Sequence, residues 1–367
     1  MQKNILVRSI AALSGIVMLA SVAACGDNTA TTTDNSSSSD STSKSTPISG
    51  NFSGAGASSQ QAAVEAWIAG FQGTNPEAKI AYNPSGSGAG VQTFLTGATA
   101  WAGSDKALAD DEVEQSKSVC TEGTAFDVPV YISPIAVVFN LKGVSDAGKH
   151  INMDAATIAK IFDGKITKWN DPAIADQNKD LKLPDTAITV VHRSDKSGTT
   201  QNFVSYFKDV TPDNWTYDLS ENWPNEVGQG AKGTSGVIST VKQADGTIGY
   251  ADFSQVGDKY NEISAEAGSK VIGDSKQDDT VKGDNRIVIK INHATEAEGA
   301  YPIVLVSYDI VCPAYKDTKQ AEFAKAWLTY VTSDEGQKAA QDAAGTAPLP
   351  SSLKSEITKS IEAIKTK

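Results

Sequence analysis

The sequence predicts an α/β fold, and two observations carry that expectation. Short β-rich runs alternate with apolar residues at helical spacing along the chain. Three times, a strand end passes through a Gly/Ser-rich turn straight into a helix start, at Gly54–Ser59, Gly86–Gly90 and Ser197–Thr200. About 320 residues follow Ile48, a length that accommodates two lobes.

The elements follow in order. Val64, Trp67, Ile68 and Phe71 stand at i, i+3, i+4 and i+7, one apolar helix face. Ser58 or Ser59 is expected to cap this helix, and Gly70 with Gly73-Thr74-Asn75-Pro76 to end it. A strand at Ala78–Tyr82 leads to a second helix through Val91, Phe94 and Leu95, then to a strand over Ala100–Asp105. Val128–Leu141 is a longer β run that Pro134 is expected to interrupt. A helix from Asp154 carries Ile158, Ile161 and Phe162 and stops at Gly164. Ile188–His192 is a buried strand that delivers Arg193 through Thr200 to a helix with Phe203 and Phe207 on one face. Gly257–Asn285 is polar and poorly patterned, as in a surface excursion. A β run at Ile303–Val311 precedes a last helix with Phe323, Ala324, Trp327, Leu328 and Val331 inward.

The N-terminus has the layout of a secretory signal over residues 1–25: Lys3 and Arg8, a short apolar run, then Val22-Ala23-Ala24-Cys25. The run is too short and too rich in Ala and Ser for a membrane span. Small residues leading into a cysteine resemble a bacterial lipobox, which would make Cys25 the acylated first residue of the mature chain. Residues 26–47 are almost all Ser, Thr, Asp, Asn and Ala, too polar to bury an apolar core, so a disordered tether is expected. The expected location is therefore extracytoplasmic, held to the cell membrane by lipid alone. Without the leader the net charge is −14, which repels nucleic acid and excludes it as a partner. Cys120 and Cys312 are the two cysteines left, and outside the cytoplasm they are expected to form a disulfide. His150, His192 and His293 stand far apart without ligand spacing, so neither a metal nor another cofactor is expected.

The three turns share one physical device. A helix start has unpaired backbone N–H groups and roughly half a positive charge from the summed peptide dipoles. Glycine lets the backbone approach an anion, and Ser/Thr hydroxyls add neutral donors. Arginine use sharpens this: beyond the leader only Arg193 and Arg286 occur, and Arg193 leaves a buried strand four residues before Ser197. Its rigid fork of donors matches a tetrahedral oxyanion as lysine does not, and Asp195 is placed to hold its plane.

These residues resemble the periplasmic phosphate-binding proteins of the phosphate-specific ABC transport system. The motifs are Gly54-Ala55-Gly56-Ala57-Ser58, Gly86-Ser87-Gly88-Ala89-Gly90-Val91, Gly103-Ser104-Asp105 and Arg193-Ser194-Asp195-Lys196-Ser197-Gly198-Thr199. Ile161–Trp169 and Gly246-Thr247-Ile248-Gly249-Tyr250 are further landmarks, so the resemblance runs in order from about Phe52 to Val331. It implies a two-lobed type II periplasmic-binding-protein clamp with the ligand in the interlobe cleft. Its lobes would be 48–138 with 304–367 and 139–303, with Val128–Leu141 and Ile303–Val311 as candidate crossing strands. The implied phosphate shell is Ser58, the backbone of Ser59, Ser87, Asp105, Arg193, Ser197, Gly198 and Thr199. The implied partners are inorganic phosphate and an ABC permease with its ATPase subunits, served by a monomer that is not an enzyme. Two departures stand out: Ser59 replaces an aromatic in the first motif, and Gly88 replaces the second hydroxyl of the second.

Asp105 distinguishes among anions. A carboxylate repels an anion unless that anion has a proton to donate; phosphate near neutral pH has one or two, sulfate none. The alternatives are a binder of another oxyanion or an organic phosphate, a secreted hydrolase, a nucleotide binder, or a sensor or adhesin. Gly228-Gln229-Gly230-Ala231-Lys232-Gly233 matches a dinucleotide fingerprint formally but lacks the preceding apolar strand and the later acidic partner. No Gly-x-Ser-x-Gly elbow is present, and His192 is expected to be a strand residue.

Overall fold

A computed structural model describes residues 47–256 and 263–367. The leader, Cys25 and nearly all of the tether lie outside the described residues. Chain order begins with β1 (Gly50–Gly56), α1 (Gln61–Thr74), β2 (Ala78–Asn83), α2 (Ser87–Leu95), β3 (Trp101–Ser104), α3 (Asp110–Gln115) and β4 (Phe126–Asn140). It continues with α4 (Ala155–Phe162), α5 (Pro172–Ala175), β5 (Thr189–Arg193), α6 (Gly198–Val210), β6 (Gln229–Ala231), α7 (Gly233–Gln243) and β7 (Thr247–Asp252). The remainder is α8 (Ala265–Gly273), β8 (Lys276–Gln277), β9 (Ile289–Lys290), β10 (Val304–Val311), α9 (Thr318–Val331), α10 (Asp334–Ala344) and α11 (Lys354–Glu362).

The main sheet has eight strands in the order β2-β1-β3-β10-β4-β7-β5-β6. β1 runs parallel to β2 and β3, and β5 runs parallel to β6 and β7, the pattern of two βαβ halves. β4 joins them. Its first part, Phe126–Pro134, pairs antiparallel with β10, and its second, Ile135–Asn140, pairs antiparallel with β7. Pro134 does not interrupt the strand as expected. It sits where β4 changes partners, and the ladder resumes at once with the Ile135 N–H donating to the Ile303 carbonyl at 2.7 Å. A missing N–H costs least at such a handover.

An aromatic nest fills each half. In the first, Phe52 stacks on Phe323 with centroids 4.1 Å apart, beside Trp67, Phe71, Trp101 and Trp327. In the second, Phe162, Phe203, Phe207, Trp215, Trp223 and Tyr250 pack together. Burying each such ring contributes about 2–3 kcal/mol, enough to hold rigid the strand ends that carry polar groups.

Several boundaries differ from expectation. Gly70 lies inside α1, which runs on to Thr74. The presumed excursion contains α8, whose Val271 and Ile272 are buried. The last predicted helix, α9, is followed by α10 and α11. Cys120 and Cys312 form a disulfide with their Cα atoms 5.3 Å apart. Among the described residues no helix is long and apolar enough to cross a membrane.

Candidate functional site

The polar residues singled out in the sequence converge where the two halves of the sheet meet. β1 delivers Ser58 and Ser59 in a short 3-10 turn, and both are buried. Neither caps a helix, contrary to expectation, because their hydroxyls are committed elsewhere. Ser59 Oγ donates to Asp105 Oδ2 at 2.6 Å, and Ser58 Oγ lies 3.0 Å from Thr234 Oγ1. The first turn of α2 closes on the end of β1. A Cβ on Gly90 would lie 2.2 Å from the Gly56 Cα, so glycine alone fits there. This packing places Ser87, whose Oγ accepts the Asp105 N–H at 3.2 Å.

Asp105 follows β3, is 2% exposed, and does not cap a helix; α3 starts beyond Ala109. Its Oδ2 accepts from Ser59 and from Thr199 (2.9 Å), and its Oδ1 accepts from Ser307 at 2.8 Å. Burial pushes the Asp105 carboxyl up from its ordinary range, while the three hydroxyls and the Arg193 charge pull it back. Behind it, Asp252 is pushed up to about 7 by burial and by the charge of Asp105.

From the other half, β5 ends on Arg193, which is 3% exposed. Its Nε and Nη2 donate to the two carboxylate oxygens of Asp195 at 2.7 and 2.5 Å, the fork expected from sequence. Burial raises the Asp195 carboxyl, but this pairing outweighs it and holds the group below its usual range. Ser197 caps α6 by accepting the Thr200 N–H at 3.2 Å, which leaves its own proton to donate. Gly198 and Thr199 form the first turn, and Thr200 Oγ1 lies 2.6 Å from the Tyr250 hydroxyl.

The halves touch across this cleft. Asn202 Nδ2 donates to the Asp105 carbonyl at 2.6 Å, and Lys106, salt-bridged to Glu112 at 2.6 Å, approaches Glu221 at 3.7 Å. Arg286, the other arginine, is a brace beneath the site. Its Nε pairs with buried Asp127 at 2.6 Å and its Nη2 donates to the Leu108 carbonyl, fixing the loop that carries Asp105.

Sequence reasoning missed Thr234, Ser307 and Asn202, and it missed a fourth strand–turn–helix device. Gly228–Gly233, discounted as a nucleotide fingerprint, forms β6 and the turn into α7, whose first N–H groups bond to Asp195 and Ser58. The histidines are structural where described in detail. His192 stacks on Trp223 and bonds the Arg193 carbonyl, and His293 bonds the Pro302 carbonyl. Among the described residues no cluster could hold a metal. A cavity of about 370 Å³ opens beside Arg193 and Asp195. A larger one of about 780 Å³ lies away from the cleft against α9, α10 and α11, where Lys354 pairs with Asp334 and Lys338 with Asp342.

The arrangement sets neutral donors and one arginine around one buried carboxylate, a set of groups suited to a small oxyanion that has a proton to give. Known proteins are similar to this chain in sequence and fold. The family described as the PBP superfamily domain matches residues 41–335. The phosphate-binding protein PstS 2 of Mycobacterium tuberculosis is 35% identical over 327 residues, covering 84% of this chain and 86% of that one. PstS of Xylella fastidiosa is 35% identical over 323 residues, covering 83% of each. The solved phosphate-binding protein of Stenotrophomonas maltophilia superposes with a TM-score of 0.63 at 18% identity, over 84% of this chain and 93% of that one, and so shares the fold. The chain belongs to the PBP superfamily and, within it, to the family of the PstS phosphate-binding proteins.

Proposed function

We propose that this protein captures inorganic phosphate outside the cytoplasm and delivers it to an ABC importer, without catalysing a reaction. The observation that carries the reading is the buried Asp105 carboxylate set among the donors of three helix starts and Arg193. Donors alone would suit any oxyanion, whereas an acceptor suits one that still has a proton to give. The shell is assigned to Ser58, Ser59, Ser87, Asp105, Arg193, Ser197, Gly198 and Thr199, with Asp195 orienting Arg193. The lobes are assigned as 48–138 with 304–367, and 139–303, with β4 as the crossing strand. Cys25 is proposed as the acylated residue after a cleaved leader, residues 26–47 as the tether, and the working form as a monomer. The relatives named PstS and the run of small residues into Cys25 support this assignment.

Calorimetric titration of the chain from Thr46 onward, first with phosphate and then with sulfate, tests it. One phosphate bound per chain with sulfate silent is the expected result. Binding of neither anion defeats the phosphate reading.

A further inference from the structure

We infer that Thr234, at the start of α7, is a positioning residue that commits the Ser58 hydroxyl to donating toward the anion; the inference rests on the phosphate reading. Ser58 and Thr234 lie on opposite halves of the molecule and 176 positions apart in the chain. Both are buried, at 5% and 1% exposure. Two contacts join them: the Thr234 N–H donates to Ser58 Oγ at 3.0 Å, and the two hydroxyl oxygens are 3.0 Å apart.

A hydroxyl has one proton and two lone pairs. The Thr234 N–H fills one lone pair of Ser58. When Thr234 Oγ1 donates as well it fills the other, and Ser58 has only its proton left to offer. That proton then has one use, donation to an acceptor in the cleft. The hydroxyls line up as a relay from Thr234 through Ser58 to the anion, each bond polarising the next. The α7 start adds its partial positive charge to the same point. The neighbouring Gly233 N–H donates to Asp195 Oδ1 at 3.0 Å, so one helical turn braces both Ser58 and the carboxylate that grips Arg193. Because the Ser58–Thr234 pair spans the two halves, it forms only when they are together. It therefore acts on retention of the anion more than on its entry.

The test compares wild type, Thr234→Val, Thr234→Ser, Ser58→Ala and the Ser58→Ala/Thr234→Val double variant. Phosphate affinity comes from calorimetry and the two rate constants from stopped-flow fluorescence. Valine keeps the shape and the backbone N–H and removes only the hydroxyl. Thr234→Val is expected to weaken phosphate binding about three- to tenfold, the range for one neutral hydrogen bond. The loss should lie in faster release, with the association rate and the phosphate-free melting temperature unchanged. Thr234→Ser should restore wild-type affinity, and Thr234→Val should add nothing to Ser58→Ala. Wild-type affinity and release in Thr234→Val, or full additivity with Ser58→Ala, overturns the inference while leaving phosphate binding intact. Failure of the wild type itself to bind phosphate overturns both.

Discussion

Thr199, in the first turn of α6, donates its hydroxyl to Asp105 Oδ2 at 2.9 Å, so a residue on one half of the molecule bonds the acceptor on the other. Ser59 donates to the same oxygen from Asp105's own side at 2.6 Å. The carboxylate is thus held by neutral hydroxyls and not by an ion pair, and these hydroxyls with the Arg193 charge oppose the rise that burial gives its pKa. Asp105→Asn replaces one acceptor oxygen with a donor. The preference for phosphate over sulfate is expected to narrow at least tenfold, as for a hydrogen bond to a charged group. Competition calorimetry reads this, and unchanged selectivity would refute the acceptor role.

The two halves approach each other backbone to backbone at Gly198. A Cβ on Gly198 would stand 2.7 Å from the Asp105 carbonyl carbon and 2.9 Å from the Lys106 nitrogen. Neither backbone atom can yield as a side chain does, so Gly198→Ala should hold the halves apart. Phosphate affinity is expected to fall tenfold or more, while the melting temperature without phosphate stays within about a degree because the opened form relieves the clash. A large drop in that melting temperature would place Gly198 in the folding core instead.

Binding should be nearly independent of salt. Arg193 is matched by Asp195 and Lys106 by Glu112, and the chain without its leader has a net charge of −14. Attraction therefore rests on short-range dipoles inside a buried cleft, beyond the reach of ionic screening. Raising sodium chloride from 20 to 500 mM, a roughly fivefold shortening of the screening length, should change phosphate affinity less than twofold. A steep loss would reveal a long-range basic field.

Buried Asp309 in β10 gives a pH signature. Burial pushes its carboxyl up to about 7, against the hydrogen bond it accepts from Trp327 Nε1 at 3.0 Å. Its folded-state affinity for a proton thus exceeds that in the unfolded chain, where an aspartate titrates near 4. The stabilising contribution is full below about pH 4 and is lost as the pH rises through about 7. Asp309→Asn, neutral at every pH, should match wild type near pH 4 and melt several degrees higher at pH 8. Parallel melting curves for the two proteins across that range would contradict it.

Much of the site was legible because its signals are local. Glycine and serine clusters mark helix starts by short-range rules, and Arg193, Asp195 and Ser197 lie within five positions of one another. Ser307 and Thr234 were not legible, since each meets its partner from 202 and 176 residues away and nothing in the flanking sequence sets it apart. Ser58 and Ser59 were misread for the same reason. A serine before a helix is usually a cap, and only the distant partners, Asp105 for Ser59 and Thr234 for Ser58, show that these hydroxyls are engaged elsewhere. In the fold, α10 escaped notice because its buried face is Gly336, Gln337, Ala340 and Ala344, with no bulky apolar residue to mark a period. Its Ser333 cap followed by Asp334 and Glu335 was a usable start signal. Pro134 was a fair warning misapplied, because β4 has different partners on its two sides.

The proposed division of the donor set between two halves joined by β4 has a consequence for unloading. Neither face alone encloses an anion, so a membrane partner has no need to compete for it or to reach into the cleft. Prying the outer rims apart by a few ångströms would sever Thr199 from Asp105 and Thr234 from Ser58 together and flood the pocket with water. Discharge then becomes a matter of leverage applied at the surface, and the cargo can be released by a machine that never recognises it.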